Sequence, residues 1–253
     1  MDRVTTGIAG LDDMLQGGFV PNTAILVEGA PGTGKTTFGM QFIHHGIAQC
    51  DEPGIILTFE QFPRQYYRDA ANFGWDFRRW EAEGKLRIMM TSPEVSQAFF
   101  QEAGGQIEQL TREVGARRIL VDSISHFERL AADPVHLRQL VYSFINGLKR
   151  EGLTAVLTRE NVALLGEAEG QDESVPFIVD TYILLRYVEM DSAIRKALLV
   201  LKMRGSYHDK DIRRFTVTSK GIEVHSKFEG QEGILSGSPR RMAESFIEAF
   251  VRR

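Results

Sequence analysis

A strand-like run, a glycine-rich turn and a helix-like run meet within residues 24–48, and this junction constrains the chain more than any other feature. AILVE (24–28) leads into Gly29-Ala30-Pro31-Gly32-Thr33-Gly34-Lys35-Thr36-Thr37, a full G-x-x-x-x-G-K-[ST] pattern, and TTFGMQFIHHGIA follows. Glycines let the backbone wind tightly enough for several N–H groups to point inward at phosphate oxygens, and the next helix adds the positive end of its dipole. Gly32, Thr33, Gly34, Lys35, Thr36 and Thr37 are therefore candidate nucleotide-binding residues, with Lys35 as the mobile cation and the Thr36 hydroxyl placed to ligate Mg²⁺. Average composition would give such a pattern by chance in roughly one chain in a hundred of this length. The correct flanks on both sides set that aside.

Apolar β-rich runs then alternate with helix-like stretches, as in a parallel sheet covered by helices. The expected strands are 24–28, 54–59, 86–91, 118–122, 153–158 and 181–188, several of them apolar throughout as central parallel strands are. Helices are expected over 95–114 and over 135–150, the second introduced by Asp133-Pro134. Beyond Tyr187 the shorter runs 194–203, 211–218 and 221–225 read as an antiparallel extension. The acidic, Gly-containing stretch 166–174 reads as a mobile loop. PRRMAESFIEAFVRR (239–253) reads as a C-terminal helix within a tail from 235, with Met242, Phe246, Ile247 and Phe250 on one face. The fold class is thus α/β, with a mainly parallel central sheet, flanking helices and a small antiparallel extension, in one domain over 1–253.

Charge and cysteine content remove other classes. Thirty Lys and Arg against 34 Asp and Glu leave a net charge of −4, so no global positive field draws nucleic acid or an anionic membrane. The single cysteine, Cys50, excludes an internal disulfide framework or a multi-Cys zinc site and suits a reducing compartment; with no signal-like opening and no spanning apolar run, the expected location is the cytoplasm. His44-His45 lacks the nearby carboxylates or cysteines of a metal site and reads as a core edge.

Two acids complete the expected phosphate chemistry. RILVDS (118–123) ends an apolar strand in Asp122, which suits a Mg²⁺-holding carboxylate opposite Thr36. Glu60 closes the strand GIILTF and is the candidate general base for an attacking water, so Thr36, Glu60 and Asp122 are the expected oxygens around the metal. Strand C-termini face the ligand crevice in open α/β sheets, which lets all three converge on the phosphate loop.

The ordered set TTGIAGLDDMLQGGF, GAPGTGKTTFGMQF, TFEQ, RILVDSIS, VDTYILLRYVE, LKMRGSYHDKDIRRFTVTSKGIEV and SGSPRRM resembles the KaiC-family ATPases of the RecA superfamily, and most of all the second ATPase half of the two-half clock members. The resemblance implies a RecA-like P-loop fold and a hexameric ring with ATP and Mg²⁺ between subunits. One subunit would give the phosphate loop, and its neighbour Lys202, Met203, Arg204, Ser206, His208 and Lys210. It further implies Phe73 near adenine, Lys196 as another basic contact, and Glu60 as the catalytic carboxylate with Lys35, Lys202 and Arg204. Lys202 and Arg204, two apart on an expected strand, would point the same way.

Three departures stand out. The family's successive glutamates are Glu60-Gln61 here, so one negative charge is missing. Its phosphorylated Ser-Thr pair corresponds to Pro176-Phe177, which cannot accept a phosphoryl group, although Ser174 and Thr181 are near. Only one ATPase half is present in the sequence. The expected function is a Mg²⁺-dependent ATPase acting as a nucleotide-driven regulatory switch for an unidentified protein partner. The alternatives are a RecA-like DNA-binding recombination regulator, which the net charge disfavours, and an ATP-gated scaffold with weak kinase activity, which Gln61 motivates.

Overall fold

The computed structural model describes residues 2–95, 105–161, 174–190, 192–228, 231–234 and 240–241. Its centre is a nine-stranded sheet in the order β3-β2-β4-β5-β1-β6-β7-β8-β9. The strands are β1 (Ala24–Gly29), β2 (Gly54–Thr58), β3 (Leu86–Met90), β4 (Arg118–Asp122), β5 (Thr154–Glu160), β6 (Thr181–Met190), β7 (Ala193–Met203), β8 (Arg213–Thr218) and β9 (Gly221–Lys227). From β3 to β6 every pairing is parallel, and β6 to β9 are antiparallel, as expected.

Alternation along the strands feeds two cores. Ile25, Val27, Ile56, Leu120 and Val156 face one side, where α1 (Leu11–Met14), α2 (Lys35–Gln49), α3 (Pro63–Ala71) and α4 (Phe77–Ala82) pack. Ala24, Leu26, Ile55, Leu57, Ile119, Val121, Ala155 and Leu157 face the other, under α5 (Gln106–Val114), α6 (Pro134–Arg150) and α7 (Ser174–Ile178). Each buried Leu or Ile contributes about 1.5–3 kcal/mol, so the near-continuous apolar strands are stable when covered on both faces and nowhere else.

Helix ends follow local chemistry. Asp133 caps α6 by accepting from the His136 N–H at 2.8 Å, with Pro134 in the first turn. α5 begins at Gln106 and ends on Gly115 in the left-handed region (φ 67°). The expected helix 95–114 is thus helical at 95 and at 106–114, and 96–104 lie outside the described residues, as do 166–173. Arg240–Arg241 pair antiparallel with Gln231–Glu232 (β11 and β10), so a helix does not begin at 239; the ladder's hydrogen bonds hold those two residues extended. The remainder of the expected tail helix lies outside the described residues. No helix among the described residues is long and apolar enough to cross a membrane.

Candidate nucleotide-binding site

The phosphate loop links β1 to α2 at the C-terminal edge of the parallel strands. Gly29 has no room for a side chain, since a Cβ would lie 2.6 Å from Leu185 O and 2.7 Å from Thr33 Oγ1. Gly34, the residue before α2, has φ 114°, a conformation that L side chains rarely adopt. Thr33 Oγ1 donates to Ala30 O at 2.8 Å and tightens the loop.

Lys35 is the buried cation of the loop. Its Nζ donates to Gly29 O at 2.9 Å and Ala30 O at 3.1 Å. Burial pulls its pKa below the usual lysine value, opposed by the carboxylates of Glu160, Asp122 and Glu28. An ammonium so placed gains from any phosphate brought beside it.

Asp122 is held from three sides. Its Oδ2 accepts from Thr36 Oγ1 at 2.9 Å and from Tyr66 OH at 2.8 Å, and its Oδ1 accepts from Thr158 Oγ1. Burial, together with the Asp122 charge, pushes the Tyr66 phenol far up, so Tyr66 stays a donor at any ordinary pH. The adjacent Thr36 and Asp122 oxygens are hard donors beside the phosphate loop, a set that suits Mg²⁺ held partly by water and nucleotide. Among the described residues no group of three or more His, Cys, Asp and Glu could hold a metal by itself.

A cleft of about 410 Å³ brings Gly32, Gly34, Lys35, Thr36 and Thr37 together with Glu60, Gln61 and Asp122, as expected from the sequence, and adds Ser123, Glu160 and Val217. Glu60 is exposed at the rim, and its Oε2 lies 3.6 Å from His126 Nε2 rather than on the Thr36–Asp122 pair. Thr58 Oγ1 accepts from the Glu60 and Gln61 N–H groups and fixes the turn that carries them.

Lys196 also reaches this cleft, from β7 of the same chain. Its Nζ donates to Gly32 O at 2.9 Å and lies 5.8 Å from the Tyr187 ring centroid, and burial lowers its pKa. Phe73 does not line the cleft; it stacks on Trp75 at 4.7 Å, against the core that α2 and α3 share.

Lys202, Met203 and Arg204 lie at the opposite edge of the sheet. Lys196 pairs in register with Tyr187, near the phosphate loop, whereas Lys202 and Met203 pair with Tyr182 and Thr181 at the start of β6. At the ordinary strand rise this separates Lys196 from Lys202 by about 20 Å. Lys202 Nζ donates to Pro176 O (2.8 Å) and Val179 O (2.7 Å), and Arg204 Nη2 to Phe177 O (2.6 Å). β7 ends at Met203, so strand alternation does not set the direction of Arg204; both cations share the carbonyls of the α7 segment instead. Met203 is buried in the core, which leaves its backbone for any ligand contact. Ser206 Oγ accepts from Arg3 Nη2 at 2.6 Å, Lys210 is exposed, and His208 Nε2 has no hydrogen-bond partner among the described residues.

Tyr66, Thr158, His126 and Glu160 escape sequence reasoning. Each reaches the site through tertiary contact, and the one local signal was an acid, Glu160, just past an apolar strand.

A phosphate loop between β1 and α2, an acid ending β4, and a parallel sheet extended by antiparallel strands define a RecA-like P-loop nucleotide-binding ATPase domain. The family model described as "ATPase: KaiC" matches residues 4–229, and the chain belongs to that family. It is 36% identical over 246 residues to the circadian clock protein KaiC3 of Synechocystis sp., covering 97% of this chain and 48% of that protein. It is 34% identical to the circadian clock oscillator protein KaiC of Thermostichus vulcanus (95% and 46%) and 38% to that of Prochlorococcus marinus (88% and 45%). The chain spans about half the length of the curated relatives it matches.

Proposed function

We propose that this chain binds ATP with Mg²⁺, hydrolyses it to ADP and phosphate, and works in a hexameric ring whose ATP cycle changes its shape for a regulatory protein partner. The observation that carries this reading is the separation of two cation sets, one within β7 and one at its end. Lys196 sits on the chain's own phosphate loop, while Lys202 and Arg204 sit at the far edge of the sheet, too distant to reach it. A neighbouring copy can use them, so that Lys202 and Arg204 of the partner subunit, with Ser206, His208 and Lys210 of the partner subunit, close each site. The chain is read as one ATPase unit, because a single sheet carries both the phosphate loop and the far cations.

The residues then divide the work. Loop N–H groups and Lys35 take the β- and γ-phosphate charge, Lys35 exchanging its two carbonyl partners for phosphate oxygens. Thr36 and Asp122 would hold Mg²⁺, which when bound neutralises charge on the phosphate oxygens. Glu60 takes the proton from water as the water oxygen bonds to Pγ; the bond from Pγ to its bridging oxygen breaks and ADP leaves. Transfer goes to water rather than to Pro176 or Phe177, neither of which has a hydroxyl. Molecular mass in solution without nucleotide, with ADP and with ATP, measured beside phosphate release, tests the reading. A nucleotide-supported ring that releases phosphate is expected; an inactive monomer under all three conditions contradicts it.

A further inference from the structure

Glu60, the base of the proposed reaction, stands at the rim of the cleft with its side chain 70% exposed. Thr58 Oγ1 fixes its backbone by accepting from the Glu60 N–H at 3.4 Å and the Gln61 N–H at 3.1 Å, but the long side chain beyond keeps its rotamers. General base catalysis gives about 10²–10⁴-fold, and only where the base lies within hydrogen-bond reach of the proton it takes. A carboxylate turning in solvent meets that condition for a small part of the time.

Among the described residues, one side chain is an ionic partner to this carboxylate: His126 Nε2 lies 3.6 Å from Glu60 Oε2. The two arms start from a common point. β2 and β4 are neighbours with Thr58 opposite Asp122, and the Phe59 N–H donates to Asp122 O at 3.1 Å. Glu60 follows Phe59 directly, and His126 lies in the 3₁₀ turn Ile124–Arg129 just past Asp122. Unlike Glu60, the imidazole is held in place. Its side chain is 15% exposed, its ring tilts against Phe59 at 6.1 Å, and Phe59 meets the buried Phe127 of the same turn edge-on at 5.7 Å. Ser123 Oγ fastens the start of the turn by accepting from the Ser125 N–H at 3.3 Å, and Ser125 Oγ ties it to β5 by accepting from the Glu160 N–H at 2.8 Å. A packed ring beside a loose carboxylate sets where the carboxylate rests.

We propose that His126 is the positioning residue for Glu60: its Nε2–H donates to Glu60 Oε2 and holds the carboxylate over the cleft, leaving Oε1 to take the proton of the attacking water. This rests on the ATPase reading above, with Glu60 as the base. The 3.6 Å separation has to shorten by about half an ångström to become a hydrogen bond. An imidazole donates from Nε2 both as the cation and as the neutral tautomer with its proton there, so the contact asks for no change of charge. His126 neither gains nor loses a proton in the step: the water proton passes to Glu60, the water oxygen bonds to Pγ, and the bridging oxygen departs with ADP.

Steady-state phosphate release by the full chain, beside calorimetric binding of MgADP, tests this. His126→Phe keeps a ring against Phe59 and removes the donor. It should lower kcat about tenfold, or about 1.4 kcal/mol, while KM and MgADP affinity stay within about twofold of wild type. His126→Gln, which restores an N–H donor, should recover part of the loss. Glu60→Gln should lower kcat about a hundredfold, and adding His126→Phe to it should bring no further loss, because the carboxylate through which His126 acts is already gone. A His126→Phe variant within about twofold of wild type in kcat, or losses that multiply in the double variant, overturns the positioning role and leaves Glu60 as the base. Glu60→Gln within about twofold of wild type removes the base and the proposal with it. Where the wild type releases no phosphate, the ATPase reading fails on its own terms, and imidazole ¹⁵N NMR decides the contact. The His126 Nε2 resonance, assigned by its loss in His126→Phe, should move on Glu60→Gln; an unmoved resonance overturns the proposal.

Discussion

At the residue scale, the phosphate loop has a built-in opposition between folding and binding. Lys35 is buried against Gly29 O and Ala30 O with its pKa depressed by desolvation, so the charge is a liability to the nucleotide-free fold and an asset to the bound one. Lys35→Met should therefore leave thermal stability without nucleotide equal or higher while abolishing the rise in Tm that saturating MgATP gives the wild type. Phosphate release should fall about a hundredfold or more. A variant that still gains Tm with MgATP would contradict the assignment. The loop residues and Asp122 were legible in the sequence because fixed spacing and a strand end mark them. Tyr66 and Thr158 were not, since they reach Asp122 from positions far away along the chain. Phe73 stacks on Trp75 and does not line the phosphate cleft, a placement that its position in the sequence could not give.

At the element scale, strands are easy to read and short polar helices are not. β1, β2, β4 and β5 are buried almost throughout and announce themselves as apolar runs. α3 buries only Tyr66 and Ala70 of PRQYYRDAA, too thin a stripe for periodicity to reveal, yet it delivers the phenol that fixes Asp122. Tertiary context also reverses ordinary propensities in α2. Gly46→Ala would normally stabilise a helix interior by about 1 kcal/mol, but a Cβ there would lie 2.4 Å from Arg118 Nε. Arg118 is buried and pinned by Glu52, Thr5 O and Phe42 O, so it cannot move aside cheaply. Denaturant titration should show Gly46→Ala destabilised by about 1–3 kcal/mol.

The same helix stacks His44 on Trp75 at 5.0 Å and sets it at a tilt to Trp80 at 5.1 Å, and burial pulls its pKa down to about 4. The unfolded chain, with an ordinary histidine pKa near 6.5, binds the proton that the folded chain refuses. Stability from this group is therefore intact above pH 6.5, falls as pH drops toward 4, and levels off below. His44→Phe keeps the stack and should flatten that portion of the stability–pH curve; an unaltered slope would show that another group titrates there.

At the scale of the whole molecule, the sheet carries a different chemistry at each end of its strands. The phosphate loop, Asp122, Glu160 and Lys196 gather at one edge, and Lys202 and Arg204 at the other, bonded to the carbonyls of Pro176, Phe177 and Val179. The α/β class, the strand set and the antiparallel extension were all legible in the chain, because each strand carries its own pattern. The distance between the cation sets was not, since it depends on the direction in which β7 runs beside β6. Complementation tests the shared site most directly. Lys35→Met and the double variant Lys202→Ala/Arg204→Ala should each be inactive alone, because one lacks the loop cation and the other the cations lent to its neighbour. Mixing them under conditions that allow subunit exchange should restore phosphate release, since some interfaces then pair an intact loop with intact far cations. Activity in the mixture no greater than that of the two variants separately, with exchange verified by mass, would contradict a site completed between subunits.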